Sequence, residues 1–164
     1  MEYREYRHID KSVWPERGPW DDEPDKIQFE DEATKLPCLI VRGPHGGLCG
    51  YVGVAEGHPF FGKEYDSCDP WPRVHGGLTF SSFCAEDGKE HGICHTPGPG
   101  EPDRVWWLGF DCAHSGDISP KYDRRERFDG YGTYKALGYV KAECARLAEQ
   151  LSKVAKGESI EDYE

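Results

Sequence analysis

Residues 37–54, PCLIVRGPHGGLCGYVGV, carry the strongest strand pattern in the chain. Two runs of β-branched and other apolar residues, Pro37–Arg42 and Leu48–Val54, flank the short segment GPHGG. Apolar runs on both sides of a short glycine-containing segment are typical of a β-hairpin. The sequence therefore predicts that these two runs pair as neighbouring antiparallel strands.

Three more segments have the composition of strands. The shortest is Lys26–Glu30, in which apolar and polar residues alternate. The other two run from about Val74 to Ser82 and from Arg104 to Cys112. The stretches between them contain many Gly and Pro residues, so they are predicted to be long loops.

One long helix is predicted near the C-terminus. After Tyr134, apolar residues recur at spacings of three and four, as on one side of an amphipathic helix. These residues are Leu137, Val140, Cys144, Leu147, Leu151 and Val154. Thr133 is the predicted N-cap. Gly138, inside the helix, either allows close packing on the sheet or has no such role.

Together these elements predict an α+β fold, in which one long C-terminal helix packs on a small mixed or antiparallel sheet with long loops. Residues 1–157 are expected to form a single domain, since 164 residues suit one ordinary core. Residues 1–25 are expected to be an irregular arm anchored by Trp14 and Trp20, and residues 158–164 a frayed acidic tail.

Charge and hydropathy restrict the classes of partner. With 31 acidic and 20 basic residues, the formal net charge is −11, which disfavours a duplex nucleic acid because its binder needs a basic surface. No apolar run approaches the ~20 residues of a membrane helix, and the N-terminus lacks the apolar core of a signal peptide. The sequence therefore predicts a soluble, cytoplasmic protein with no membrane partner.

The seven cysteines are expected to be reduced, because their number is odd and no signal peptide accompanies them. Those at apolar strand or helix positions, Cys38, Cys49 and Cys144, are expected to be small core residues. Zinc is an alternative for one loop, whose four ligand-type residues have a spacing that matches no standard zinc finger. They are Cys84, His91, Cys94 and His95.

The predicted strands 74–82 and 104–112 place polar side chains on one face of the sheet. Side chains alternate between the two faces of a strand, and one helix covers only one face. If the two strands share a sheet, its uncovered face becomes a floor for a ligand, with glycines that leave room for it. This floor would consist of His75, Gly77, Thr79, Ser81, Trp107, Gly109 and Asp111. The alternative is that Trp107 packs under the long loops and Asp111 caps a turn.

The segment FDCAHSGD combines carboxylates with an imidazole. Asp111, His114 and Asp117 follow one another at spacings of three, and such side chains suit a divalent metal such as zinc. Alternatively, His75, Asp111 and His114 would act as catalytic acid and base residues. Asp and His are also common in turns, so a purely structural role is the competing interpretation.

Five segments of the chain have a combined pattern that is specific: GPWDDEPDKIQFED, LPCLIVRG, LCGYVGVAEGHPF, VHGGLTFSS and VWWLGFDCAHSGD. Over about Gly18–Asp117 they resemble a family of uncharacterised proteins of bacteriophages and bacteria. The resemblance implies a phage or prophage accessory setting. It implies no activity and no catalytic residues.

The leading functional hypothesis is that the protein binds, and in one version degrades, a small nucleotide-like molecule, such as a host defence signal. Trp107 and Tyr51 would stack on the base, and polar side chains of the floor would hydrogen-bond the ligand. Further ligand contacts would come from Gly77, Ser81 and Asp117, and the phosphate would meet Arg73 or Arg104.

Two other hypotheses stay open at this point. One is a metal-assisted hydrolase built on His75, Asp111, His114 and Asp117, in which the metal generates a hydroxide nucleophile. The other is an acidic inhibitor of a host nuclease or another host protein, whose carboxylates would imitate phosphates. The hydrolase requires a bound divalent ion, whereas the inhibitor requires a protein partner.

Overall fold

The structure, a computed structural model, describes residues 1–84, 91–122 and 132–163. In these residues, six strands form one antiparallel sheet in which β4 lies between β3 and β6, β5 lies outside β6, and β1 and β2 continue beyond β3. One long helix, α1, packs on the sheet. The strands and the helix are β1 (Arg4–Tyr6), β2 (Lys26–Glu30), β3 (Pro37–Arg42), β4 (Leu48–Ala55), β5 (Phe80–Ser82), β6 (Val105–Asp111) and α1 (Leu137–Ala155). The predicted α+β fold is confirmed.

The predicted hairpin is confirmed as β3 and β4, and it forms the middle of the sheet. Its register pairs Cys38 with Val52, and β4 also pairs with β6 from Cys49 to Ala55. Gly50 permits close packing here, because a Cβ at this position would overlap the ring of Phe110 and lie 2.8 Å from Sγ of Cys144. The helix therefore approaches the sheet directly above the hairpin.

The helix buries one face of the sheet. The apolar side chains of this core come from alternate positions of β4 and β6 and from the predicted apolar side of α1. They include Val52, Val54, Leu108, Phe110, Val140, Cys144, Leu147 and Leu151. Each large side chain buried in this way contributes roughly 1.5–3 kcal/mol. Within the described residues, no helix has both the length and the apolar character needed to span a membrane.

The opposite face of the sheet is also buried, although no described helix lies on it. Its apolar cluster contains Leu39, Val41, Tyr51, Val105 and Trp107. A loop is held over this face by two polar side chains of β2. Nζ of Lys26 donates to the carbonyls of Gly92 and Cys94 at 2.7 and 2.8 Å, and Gln28 exchanges two hydrogen bonds with the backbone of Thr96.

The predicted strand at 74–82 is correct only at its end. β5 begins at Phe80, because the residues before it form a tight turn closed by a hydrogen bond from the Gly77 amide to the Val74 carbonyl at 2.8 Å. Gly76 and Gly77 have φ values of 68° and 79°, which a strand does not allow. Side-chain alternation therefore does not extend back to the histidine of this segment.

The N-terminal arm is anchored by its two tryptophans, as predicted, since Trp14 and Trp20 are both buried. The three-residue strand β1, which has no clear sequence pattern, pairs with β2. A set of buried charged and polar side chains, here named the arm network, provides a second anchor. It consists of Lys11, Glu23, Asp25, Arg42 and Tyr134. This network connects the arm to the hairpin and to the segment before the helix.

The helix begins later than predicted, and Thr133 is not its N-cap. The N-cap is Ala136, whose side chain accepts no hydrogen bond. Instead, Oε2 of Glu23 accepts a hydrogen bond from the amide of Leu137 at 2.7 Å, so a carboxylate from the arm caps the helix. Gly138 is exposed with open space around it, and the idea that it allows close packing is wrong.

The segment after the helix is not simply frayed. Ile160 is only 4% exposed and belongs to the same core as α1. Tyr163 also packs against that core, and the ammonium group of Lys153 lies 5.0 Å from its ring centroid. The apolar residues of the tail therefore hold it against the body of the protein.

Candidate metal centre

Two tight turns near the end of β6 bring two histidines together. His75 lies in the Val74–Gly77 turn described above. His114 begins the turn HSGD, which is closed by a hydrogen bond from the Asp117 amide to the His114 carbonyl at 2.9 Å. Gly116 has a φ of 91° at the third position, where such a turn needs glycine. The ring centroids of the two histidines are 5.9 Å apart.

Asp117 lies between the two histidines, and its side chain is only 2% exposed. Its carboxylate oxygens lie 2.8 and 3.0 Å from Nε2 of His75, and it also accepts hydrogen bonds from the His114 amide and contacts Nζ of Lys135 at 3.0 Å. Burial alone would raise the pKa of this carboxyl group, but the contacts with His75, His114 and Lys135 outweigh it and lower the pKa below its ordinary value. Asp117 is therefore a buried, charged ligand-type group.

The ring of His114 is fixed in place, yet one of its nitrogens has no hydrogen-bond partner. Nδ1 lies 3.3 Å from Oδ1 of Asp111 and 3.8 Å from Oδ2 of Asp117, and it is buried without a well-formed hydrogen bond to the described residues. A Cβ on Gly76 would overlap the ring, so the glycine turn and the imidazole pack tightly against each other. Buried polar atoms are normally satisfied, so this nitrogen indicates an absent partner.

Asp111 lies beside His114 at the end of β6 and is one third exposed. Its carboxylate accepts hydrogen bonds from Oγ1 of Thr79 at 3.1 Å and from the Ala113 amide at 3.0 Å. The sequence prediction that Thr79 and Asp111 come together thus agrees with the structure. The carboxylate is held in position while part of it stays accessible.

The residues His75, His114 and Asp117 are here named the histidine cluster. Each offers one ligand atom, and these three atoms lie within 4.8 Å of one another. In the described part of the chain, no other group of three or more such side chains converges in this way. Two imidazoles and one carboxylate are a ligand set used for Zn²⁺ and for non-haem Fe²⁺. His75 thus takes the position that the sequence interpretation gave to Asp111, which lies beside the cluster.

Two clefts flank the histidine cluster. The first, named the arginine cleft, has a volume of ≈ 350 Å³ and is lined by Trp71, Arg73, His75, Glu143 and Arg146, among others. The second, named the hairpin cleft, has a volume of ≈ 280 Å³, and its lining includes Cys49, Tyr51, Thr79 and Asp111. A molecule in either cleft would be next to a residue of the cluster or to Asp111.

The predicted aromatic floor for a ligand is not accessible. Trp107 is fully buried and packs against the ring of His95, with 5.2 Å between the ring centroids. The ring of Tyr51 fills the space beside Gly109, and the indole of Trp71 fills the space beside Gly77, so neither glycine leaves room for a ligand. The alternative, that Trp107 packs under the long loops, is correct.

Other predicted ligand contacts lie apart from the cluster. Ser81 pairs with Leu108 in the sheet, and its hydroxyl group donates to Glu64 at 3.2 Å. Arg104 lies just before β6, at the opposite end of that strand from Asp111, with its guanidinium 4.4 Å from the ring centroid of Phe83. Of the two predicted phosphate contacts, only Arg73 lines a cleft beside the cluster.

One disulfide contradicts the expectation that all thiols are reduced and removes two of the four residues from the zinc alternative. Cys84 and Cys94 form a disulfide with each other. His91 packs against His8 with 4.3 Å between ring centroids, and His95 is buried against Trp107. Cys38 and Cys144 are fully buried free thiols, as predicted, whereas Cys49 is half-buried and lines the hairpin cleft.

Several residues around the cluster were missed in the sequence interpretation. Glu143 accepts a hydrogen bond from the His75 amide at 2.8 Å, and the hydroxyl group of Tyr139 lies 2.9 Å from Nδ1 of His75. Tyr139, Glu143 and Arg146 recur at spacings of four and three along α1, so they form a polar stripe beside its apolar side. That spacing was the available sequence signal. Lys135, which precedes the helix, carried no such signal.

The function has to be inferred from the chemistry of the site. No protein-family model, curated protein or solved structure matches the chain. The histidine cluster and its two clefts are therefore the features from which a function can be argued.

Proposed function

We propose that the protein is a metal-assisted hydrolase of a small molecule, with one divalent ion held by the histidine cluster. The observation that carries this proposal is the convergence of His75, His114 and Asp117, whose ligand atoms lie within 4.8 Å of one another, together with the buried Nδ1 of His114, which has no hydrogen-bond partner. Leaving a buried polar atom unsatisfied costs about 1–3 kcal/mol. A bound cation would supply the missing partner and offset this cost.

The charge state of the cluster suits a cation. Asp117 is buried and held ionised, and at neutral pH an unprotonated imidazole offers a lone pair to a metal. Protein ligands to zinc lie about 2.0–2.2 Å from the ion, so three ligand atoms within 4.8 Å need only small side-chain movements to reach it. Three protein ligands would leave a coordination position for water, as in catalytic sites.

The residues beside the cluster have roles in this proposal. A bound divalent ion can lower the pKa of its water to about 7 and so supply a hydroxide nucleophile. Asp111, which is fixed by Thr79 and one third exposed, would act as the general base that accepts the proton of that water. Lys135, whose Nζ lies 3.0 Å from Oδ1 of Asp117, would hold that carboxylate in place.

The phage-type setting that the sequence resemblance implies is part of the proposal. In that setting the substrate would be a host-derived molecule, such as a nucleotide used as a defence signal. Trp107 and Tyr51 have no stacking role in this proposal, because both residues are buried. An acidic inhibitor of a host protein would need neither the cluster nor a metal, so the test below separates the two functions.

Metal titration tests the proposal. Isothermal titration of the metal-free, full-length protein with Zn²⁺ and with Mn²⁺ is expected to show one ion per chain. His75→Ala and His114→Ala are each expected to weaken binding by more than the about 10–100-fold that loss of an outer partner costs. His91→Ala is the matched control, because His91 is an exposed histidine outside the cluster. Absence of binding, or equal binding by all three variants, would contradict the proposal.

A second measurement tests whether Asp111 is the general base or a metal ligand. Asp111→Asn is expected to retain the metal and to lower the turnover of bis(4-nitrophenyl) phosphate by about 10²–10⁴-fold, the range for loss of a general base. If Asp111→Asn loses the metal as His114→Ala does, Asp111 is a ligand and the assigned role is wrong.

A further inference from the structure

The arginine cleft contains an aromatic ring that is both exposed and fixed. The side chain of Trp71 is 46% exposed. Its Nε1 donates to the Tyr65 carbonyl at 3.2 Å, and a Cβ on Gly77 would lie 2.5 Å from the indole, so the ring packs directly on that glycine. An aromatic ring that is already fixed loses little conformational entropy when a planar ligand stacks on it.

The same cleft contains two guanidinium groups that lack a carboxylate partner among the described residues. Arg73 is exposed, and only its backbone is engaged, by Gln150. Arg146 is half-buried, and its Nε has no hydrogen-bond partner, although the guanidinium lies 6.0 Å from the ring centroid of Tyr163. In a protein with a net charge of −11, two such cations lining one cleft need an explanation.

The other polar groups of the cleft are already engaged. Glu143, the one carboxylate of its lining, accepts a hydrogen bond from the His75 amide. His75 itself connects the cleft to Asp117 and so to the metal ligands. The volume of ≈ 350 Å³ falls within the range of about 300–1,000 Å³ that is usual for small-ligand sites.

We infer that the arginine cleft binds a nucleotide-like phosphate ester, with the phosphate at Arg73 and Arg146 and the base against Trp71. Guanidinium groups match phosphate oxygens with charge-assisted hydrogen bonds, and an aromatic ring stacks on a base of any sequence. This inference names the substrate class of the proposed hydrolase and rests on that function for the reaction, but the binding itself requires no metal.

The reaction on such a substrate would be the hydrolysis of one P–O ester bond. A metal held by the histidine cluster would supply hydroxide, whose oxygen would form a bond to phosphorus while the ester oxygen leaves with the electron pair of the broken bond. The proton that Asp111 removed from the water is returned to the leaving oxygen. Phosphate held at Arg73 and Arg146 lies in the cleft that His75 also lines, so the phosphorus would be close to the metal.

Isothermal titration of the metal-free, full-length protein with AMP, adenosine and inorganic phosphate tests the inference. AMP is expected to bind more tightly than either fragment, because only AMP contacts both the arginines and Trp71. Arg73→Gln, Arg146→Gln and Trp71→Ala are each expected to weaken AMP binding by about tenfold or more. Arg104→Gln is the matched control, since Arg104 is an exposed arginine outside the cleft, and it is expected to bind AMP like the wild type.

The results that overturn the inference are distinct. Failure of AMP to bind, or equal weakening by Arg104→Gln and Arg73→Gln, excludes the cleft as the phosphate site. Equal affinity for AMP and adenosine excludes the arginines, and equal affinity for AMP and inorganic phosphate excludes Trp71. Arg146→Lys, which keeps the charge, serves if Arg146→Gln does not fold. The Zn²⁺ titration contains no nucleotide, so it fails or succeeds independently of this inference.

Discussion

Two buried aspartates organise two different regions of this protein. Asp25, in the arm network, and Asp117, in the histidine cluster, have side chains only 1% and 2% exposed. In both cases burial alone would raise the pKa of the carboxyl group, and hydrogen bonds and neighbouring cations outweigh it, so that the pKa is lowered. The two regions differ in what surrounds the carboxylate, and that difference is the basis for proposing a structural role for one and a functional role for the other.

Asp25 is surrounded by permanent partners. It contacts Nζ of Lys11 at 2.7 Å and Nε of Arg42 at 3.3 Å, and it accepts hydrogen bonds from the amides of His8 and Ile9, each at 2.9 Å. Arg42 also donates to backbone carbonyls in the hairpin and the arm. Such a site has every hydrogen-bonding group in use and stabilises one arrangement of the chain.

Asp117 has partners that can change. Two of them are imidazoles, which are common metal ligands, and one imidazole nitrogen has no hydrogen-bond partner. His75 of the cluster lines the arginine cleft, and Asp111 beside the cluster lines the hairpin cleft. Lys11 and Asp25 of the arm network also line a cleft, of ≈ 480 Å³, so accessible space does not distinguish the two regions. What distinguishes the histidine cluster is a ligand-type nitrogen without a hydrogen-bond partner, and this is the ground on which we propose a functional site there.

The largest expected effect on stability comes from a substitution that disrupts the arm network. Arg42→Gln removes a buried cation beside Glu23 and Asp25, so the free energy of unfolding is expected to fall by about 3–5 kcal/mol, as measured by urea denaturation. Arg4→Gln is the control, because the ion pair of Arg4 with Glu2 is exposed, and its loss costs about 1 kcal/mol at most. Similar losses for the two variants would mean that the arm network is not a structural anchor.

The next largest effect is expected from a substitution in the Gly76 turn, which packs against His114 of the histidine cluster. Gly76→Ala would force a side chain onto a residue with φ of 68° and into the ring of His114. Backbone strain costs about 1–2 kcal/mol, and the collision is expected to add about 1–3 kcal/mol and to weaken Zn²⁺ binding. Gly57→Ala is the control. Gly57 has a φ of 102° and open space around it, so this substitution causes backbone strain but no collision. Unchanged Zn²⁺ affinity in Gly76→Ala would show that the turn does not position His114.

The smallest effect is a pH dependence that belongs to Asp25. Because its pKa is lower in the folded protein than in the unfolded chain, its contribution to stability is present above the ordinary pKa and is lost as the pH falls through the folded value. The free energy of unfolding should therefore fall as the pH drops below about 5, with a slope from this group of at most about 1.4 kcal/mol per pH unit. Asp25→Asn should show a shallower slope. An identical slope in the variant would mean that Asp25 is not the titrating group.

The fold was largely predictable because its main elements follow from local sequence patterns. The hairpin at 37–54 and the apolar spacing of α1 arise from neighbours in sequence, and both are found where they were expected. The burial of Trp107 was not predictable in the same way. The loop that buries it is held by Lys26 and Gln28, which are more than 60 positions away from their partners in the sequence. Local sequence patterns do not predict contacts at that separation.

The candidate site was predicted in its residue types but not in its arrangement. His75, Asp111, His114 and Asp117 all lie together, as the motifs suggested, because two glycine-containing turns fold the segments toward each other. The prediction assumed that strand alternation orients His75, whereas the Gly76 turn orients it toward Asp117. Trp71 and Arg146 were overlooked, since each reaches the cleft only through the tertiary fold.

Native and denaturing mass spectrometry of the untagged, full-length protein tests most directly whether the histidine cluster is a metal centre. The account predicts that the native mass exceeds the denatured mass by one divalent ion per chain, that Asp117→Asn loses this excess, and that Arg42→Gln keeps it whenever it folds. A native mass equal to that of the bare chain after incubation with Zn²⁺ or Mn²⁺ would contradict it. So would an ion that remains bound when His75, His114 and Asp117 are all replaced.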